Sequence, residues 1–179
     1  MSIQQETTEL DQIITLLGDS DLANAAEITK QIAVPREQLE PFMFWNEGEY
    51  TRNCLARGNN YELLLLCWSE GQKTAIHCHD GQECWVKVIS GSFKECIYRF
   101  DEESLKLSML STEVIGNNET TIMVDGSLYH SLENTNSGRA VSLHLYMNPI
   151  DKCTVYDANQ NCFVEKKLAY YSERGVICG

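Results

Sequence analysis

From about Arg52 onward the chain is a succession of short β-rich runs with no helical segment between them. The runs read YELLLLCW, CWVKVI, FKECIYRF, LKLSML, TTIMV, HSLEN, AVSLHLYM, CTVYD and FVEKKLAYY, and Gly, Asn, Asp and Ser fill the gaps. β-Branched and aromatic residues suit a pleated surface, and the small polar residues suit turns. Many short strands at near-regular spacing point to an antiparallel barrel or a double-sheet jelly roll, so the expected fold class is mainly β. Residues 7–32 read differently. Leu10, Ile13, Ile14 and Leu17 fall on one helical face, and Gly18 ends it. Ser20 or Asp21 can cap a second helix that turns Leu22, Ala25, Ala26 and Ile28 inward, and Pro35 can open a third short turn. The expected organisation is one domain over 1–179, with helical decoration over about 1–45 and the barrel over 46–170.

Charge and cysteine usage narrow the function classes. A net charge of −12 argues against nucleic acid and anionic membranes as partners, since both require basic patches. The opening MSIQQETTELDQ is polar and acidic and has no basic stretch leading into an apolar run, so no signal peptide is expected. The longest apolar run, LLLLCW, is too short to span a bilayer. A cytoplasmic location follows as the expectation. The eight cysteines (54, 67, 78, 84, 96, 153, 162, 178) are then not a disulfide framework, and with no CxxC pair they do not make a cysteine-only zinc site.

The chemistry concentrates in KTAIHCHDGQECWVKVISGSFKE, Lys73 to Glu95. On a strand, residues i and i+2 share a face. His77 and His79 can therefore both enter the barrel while Cys78 points away. The chain has only four histidines, and the other two, His130 and His144, also lie in predicted inner strands.

Gly71, His77 and His79 fit the first motif of the cupins: Gly, five residues, HxH, three or four residues, Glu, six residues, Gly. Counting back from Gly91 puts Cys84, not Glu83, in the slot where many cupins hold a carboxylate ligand. Glu83 falls on the opposite face with Trp85 and Lys87. HSLEN, with His130 and Asn134, resembles the end of the second motif, and Gly126 precedes it. Three neutral histidines without a carboxylate leave a divalent ion at full charge with open positions. Such a site suits a substrate that brings its own anion; a thiolate does so and binds iron or copper well, with zinc as a structural alternative.

From about Tyr50 to Asp157 the chain resembles the cysteine dioxygenase family, thiol dioxygenases of the cupin superfamily. The residues that carry the likeness are YTRN (50–53), LCWSEG (66–71), IHCH (76–79) with Cys84, and AVSLHLY (140–146). The resemblance implies a jelly-roll barrel holding one iron(II), with L-cysteine and O₂ as substrates and cysteine sulfinate as product. It implies His77, His79 and His130 as ligands, Arg52 on the substrate carboxylate, Tyr146 as the active-site tyrosine, and a thioether between Cys84 and Tyr146. Ser142 and His144 correspond to the groups that support the tyrosine, and Tyr50 to a second pocket tyrosine. Ser142, His144 and Tyr146 alternate, so they share one strand face in any case. A monomer is the expected state, and Cys153, near the family's pocket entrance, receives no role. The chain departs from the family in MNP (147–149), where Asn148 replaces a proline that follows a cis peptide, so this loop is expected to differ. A 3-mercaptopropionate dioxygenase and a non-catalytic metal-binding cupin stay open as alternatives. The former type usually carries glutamine for Arg52 and glycine for Cys84.

Overall fold

The computed structural model describes residues 9–19, 34–123 and 126–179. Helix α1 (Glu9–Asp19) runs one residue past Gly18. The second expected helix lies outside the described residues. Pro35 precedes a single helical turn, α2 (Arg36–Leu39), which tightens into a 3₁₀ turn at Glu40–Phe42.

Among the described residues thirteen strands follow, and each of the nine β-rich runs overlaps one of them, FVEKKLAYY only as far as Lys167. One sheet holds, in spatial order, β13 (Val176–Ile177), β12 (Ser172–Glu173), β1 (Thr51–Arg57), β2 (Glu62–Trp68), β9 (Ala140–Tyr146), β4 (Cys84–Ser90) and β7 (Thr120–Met123). The other holds β11 (Cys162–Lys167), β10 (Lys152–Asp157), β3 (His77–Cys78), β8 (Leu128–Asn134), β5 (Phe93–Asp101) and β6 (Lys106–Ile115). Pairing is antiparallel except where β1 meets β12. Sequence-distant neighbours such as β2–β9–β4 and β3–β8–β5 give the jelly-roll arrangement.

The two faces of the first sheet explain its unbroken apolar runs. Leu64, Leu66 and Trp68 of β2 point between the sheets, where they meet Val86, Val88, Phe93 and Leu132. Leu63, Leu65 and Cys67 point outward, onto a second cluster with Leu143 and Leu145. Leu10, Ile13 and Leu17 of α1 cover that outer cluster. A strand covered on both faces loses polar alternation, which is why ELLLLCW is buried throughout. Two side-chain amides fasten the frame. Asn53 donates to Leu65 O at 3.1 Å and accepts from Ser172 at 2.8 Å, which ties β12 to β1. Asn134 donates to Ser69 O and Gly138 O at 3.0 and 2.9 Å.

Glycines set the loops around the HxH strand. After His79 the chain turns through Asp80 and Gly81, both with positive φ (51° and 84°). A Cβ at Gly126 would lie 2.8 Å from Gly81 Cα, so the loop after β3 and the loop before β8 meet with no room for a side chain. No peptide bond among the described residues is cis, and Asn148 follows β9 in an ordinary bend.

Candidate metal centre and active site

β3 is only two residues long, yet it sets the site. It lies between β8 and β10, with His77 in register opposite His130. His79 follows it by one residue. The Nε2 atoms of His77 and His79 are 3.2 Å apart, as are those of His79 and His130. Among the described residues these three form the group able to hold a metal ion, with ligand atoms within 4.8 Å of one another. Cys78 is turned away, with its Sγ 3.5 Å from Asp80 Oδ1.

Hydrogen-bond accounting shows what the cluster lacks. His77 Nδ1 lies 2.9 Å from Ala75 O, and His130 Nδ1 lies 2.8 Å from Glu95 Oε1. A carbonyl and a carboxylate can only accept, so both Nδ1 atoms carry a proton, and wherever the ring is neutral its Nε2 presents a lone pair. His79 can donate to at most one of these Nε2 atoms. Burial holds the His77 imidazole down at about 3 and His79 well below the ordinary value, so both rings are neutral. Converging neutral imidazole lone pairs are what a cation satisfies.

The same cavity is lined by Tyr50, Arg52, His144 and Tyr146. Arg52 projects inward from β1 and is 7% exposed. Its Nη2 lies 3.4 Å from the fully buried Glu62, while its Nη1 is buried without a partner. Glu62 is in turn held by Arg57 at 3.4 Å and by the Tyr170 hydroxyl. Arg57 also grips Asp151 through two bonds of 2.7 and 2.9 Å. Burial pushes the Glu62 carboxyl up, opposed by the Tyr170 hydrogen bond and the two guanidinium groups. Tyr50 stacks on Trp68 with ring centroids 4.3 Å apart.

Ser142, His144 and Tyr146 stand on the inner face of β9. Trp68 Nε1 donates to Ser142 Oγ at 2.9 Å, and Ser142 Oγ is 2.8 Å from His144 Nε2. Burial holds His144 at about 3, and its Nδ1 has no partner. Tyr146 lies edge-on to His79, with centroids 5.3 Å apart. Cys84 and Tyr146 are directly opposed residues of β4 and β9, which places their side chains side by side on one face. Burial pushes both the Cys84 thiol and the Tyr146 phenol up, so each keeps its proton. Cys84 is outside the ligand cluster, and Glu83 is exposed on the other side.

Glu62, Glu95 and Trp68 were not singled out as site residues from sequence. Glu95 had a signal: in FKECIYRF it alternates with Phe93 and Ile97, which puts a carboxylate on a core-facing position. Burial raises its pKa, but the contacts from His130 and Thr121 outweigh that and hold it below the usual range.

The chain is similar to several known proteins. Human cysteine dioxygenase type 1 is 31% identical over 174 residues, covering 94% of this chain and 87% of the human one. The Danio rerio cysteine dioxygenase type 1 is 30% identical over 183 residues, covering 97% and 90%. Among solved structures, a Klebsiella pneumoniae protein with a double-stranded β-helix domain superposes with a TM-score of 0.50 at 14% identity, covering 73% of this chain and 95% of that one. A Bacillus halodurans protein gives 0.52 at 14%, covering 66% and 81%. Those two support the fold alone. The sequence model of cysteine dioxygenase type I matches residues 3–159, and on that match, with relatives at this identity along most of their length, the chain belongs to the cysteine dioxygenase type I family.

Proposed function

We propose that this protein is a cysteine dioxygenase that adds both atoms of O₂ to the sulfur of L-cysteine, giving cysteine sulfinate. The observation that carries this reading is one cavity holding both three converging imidazole Nε2 atoms and a buried guanidinium nitrogen without a partner. A cation-binding set beside an anion-binding group suits a small molecule with a thiolate at one end and a carboxylate at the other. His77, His79 and His130 would hold iron(II), which would supply Lewis-acid and redox chemistry toward a thiol and O₂.

The chain's own side chains do the rest. Arg52 takes the substrate carboxylate on Nη1 while Glu62 holds its other end. Leu66, Ile150 and Val155 wall the cavity against water. The Tyr146 hydroxyl keeps its proton and donates a hydrogen bond to the bound carboxylate or oxygen. Ser142 and Trp68 hold His144 in place behind it. Tyr50 shapes the mouth. No side-chain general base is required, because a bound cation lowers the thiol pKa. A thioether from Cys84 to the Tyr146 ring, formed on turnover, would turn the thiol into a weaker ligand and stop the ring rotating. The functional unit is a single domain, with the helical segments α1 and α2 ahead of a barrel over about 46–170 that β12 and β13 extend, and it works as a monomer. The packing of α1 on the first sheet supports the single domain. Eight free thiols favour a reducing, cytoplasmic setting.

The test is anaerobic reconstitution with iron(II), then oxygen uptake with L-cysteine, D-cysteine, cysteamine and 3-mercaptopropionate. L-Cysteine should give the highest kcat/KM. A preference for 3-mercaptopropionate would change the substrate, and iron-loaded protein consuming no oxygen with any thiol would leave a metal-binding module.

A further inference from the structure

The carboxylate missing from the Cys84 slot is present one hydrogen bond further out. Glu95 faces the barrel interior from β5 and is 5% exposed. Its Oε1 accepts from His130 Nδ1, and its Oε2 accepts from Thr121 Oγ1, each at 2.8 Å. β5 and β7 belong to different sheets, so this carboxylate joins the two walls of the barrel beside the histidine cluster. Among the described residues its side-chain partners are His130 and Thr121, with no lysine or arginine paired to it. A buried carboxylate without a fixed cation is costly. A divalent ion on the far nitrogen of His130 would compensate it.

We propose that Glu95 is a positioning residue that supplies, through His130, the negative charge that the ligand set itself lacks. This rests on the metal-site reading above. The carboxylate keeps His130 in its Nδ1–H form, fixes the ring plane and makes Nε2 a stronger donor. Delivering the charge from behind leaves the open coordination positions free for substrate, which a directly ligating carboxylate would not.

Glu95→Gln keeps an oxygen acceptor for His130 and removes the charge. Metal-free wild-type and variant proteins, shown by circular dichroism to be equally folded, are titrated with zinc(II) and, anaerobically, with iron(II) against a chromophoric chelator. The variant should bind roughly 10–100-fold more weakly. Equal affinity overturns the proposal and leaves the metal site standing, whereas a wild type that binds no ion removes both. If the variant does not fold, nitrogen-15 NMR of zinc-loaded wild-type protein decides. His130 should carry a strongly deshielded proton on Nδ1; a ring with no proton there overturns the proposal.

Discussion

At the scale of single residues, the proposed function assigns substrate grip to Arg52 and phenol placement to Cys84. Arg52 is fixed at one end by Glu62 and bare at the other. Arg52→Ala should raise KM for L-cysteine about 10–150-fold, the equivalent of a charge-assisted hydrogen bond of about 1.5–3 kcal/mol. Metal content should not change, since Arg52 is not in the ligand cluster, and Glu62 keeps Arg57 and Tyr170. Steady-state oxygen uptake beside metal analysis checks both; an unchanged KM would take Arg52 out of substrate binding. Cys84 and Tyr146 are opposed on adjacent strands. Protein turned over with iron, O₂ and L-cysteine should lose two hydrogens in intact mass, with the Cys84 and Tyr146 peptides joined. Cys84→Ser should abolish the joined species yet retain metal. Separate peptides after extensive turnover would make Cys84 a wall residue and nothing more.

At the scale of elements, the first sheet has separate jobs for its faces. The inner face of β9 carries Ser142, His144 and Tyr146, and the outer face carries Leu143 and Leu145 beneath α1. Leu17 of α1 is almost wholly buried there. Leu17→Ala should cost about 2–5 kcal/mol of stability, as other buried leucine truncations do. Because α1 lies on the outer face, KM and metal stoichiometry of the folded fraction should stay as in wild type. Urea denaturation paired with kinetics at low denaturant separates the two effects. Coupled loss of metal would show that the outer layer shapes the site.

The molecule as a whole stabilises a set of neutral histidines in its interior, and this sets its pH response. His144 is buried and held at about 3, with desolvation the main cause. The unfolded chain recovers the ordinary value near 6.5, so on acidification it takes up the proton before the folded state does. Stability is therefore complete above pH 6.5 and declines from there toward 3. His144 alone should cost about 2–3 kcal/mol between roughly pH 6.5 and 4.5. His79 is depressed as well and acts in the same direction. Urea midpoints of the metal-free protein across that range measure it; a flat profile would mean that His144 is protonated in the fold. A bound cation should oppose the part of the decline that comes from His79, since it competes with protons for that ring's lone pair.

Sequence by itself determined the β class, the nine β-rich runs, the shared face of His77 and His79, and the Cys84 slot. These follow from periodicity and spacing, which are properties of the local chain. It gave no distinct signal for β1, because Thr51, Arg52 and Asn53 are buried polar residues that interrupt the apolar pattern. Nor could it delimit β3, β12 and β13, two residues each, which exist only because a partner strand runs beside them. The partnerships were decided by the tertiary structure. His130 reaches His77 across β3–β8, Cys84 meets Tyr146 across β4–β9, and Glu62 turns Arg52 into a half-satisfied group. A sequence states which groups are available and which face each takes; only the closed barrel fixes which lone pairs and charges are left to face one another without water.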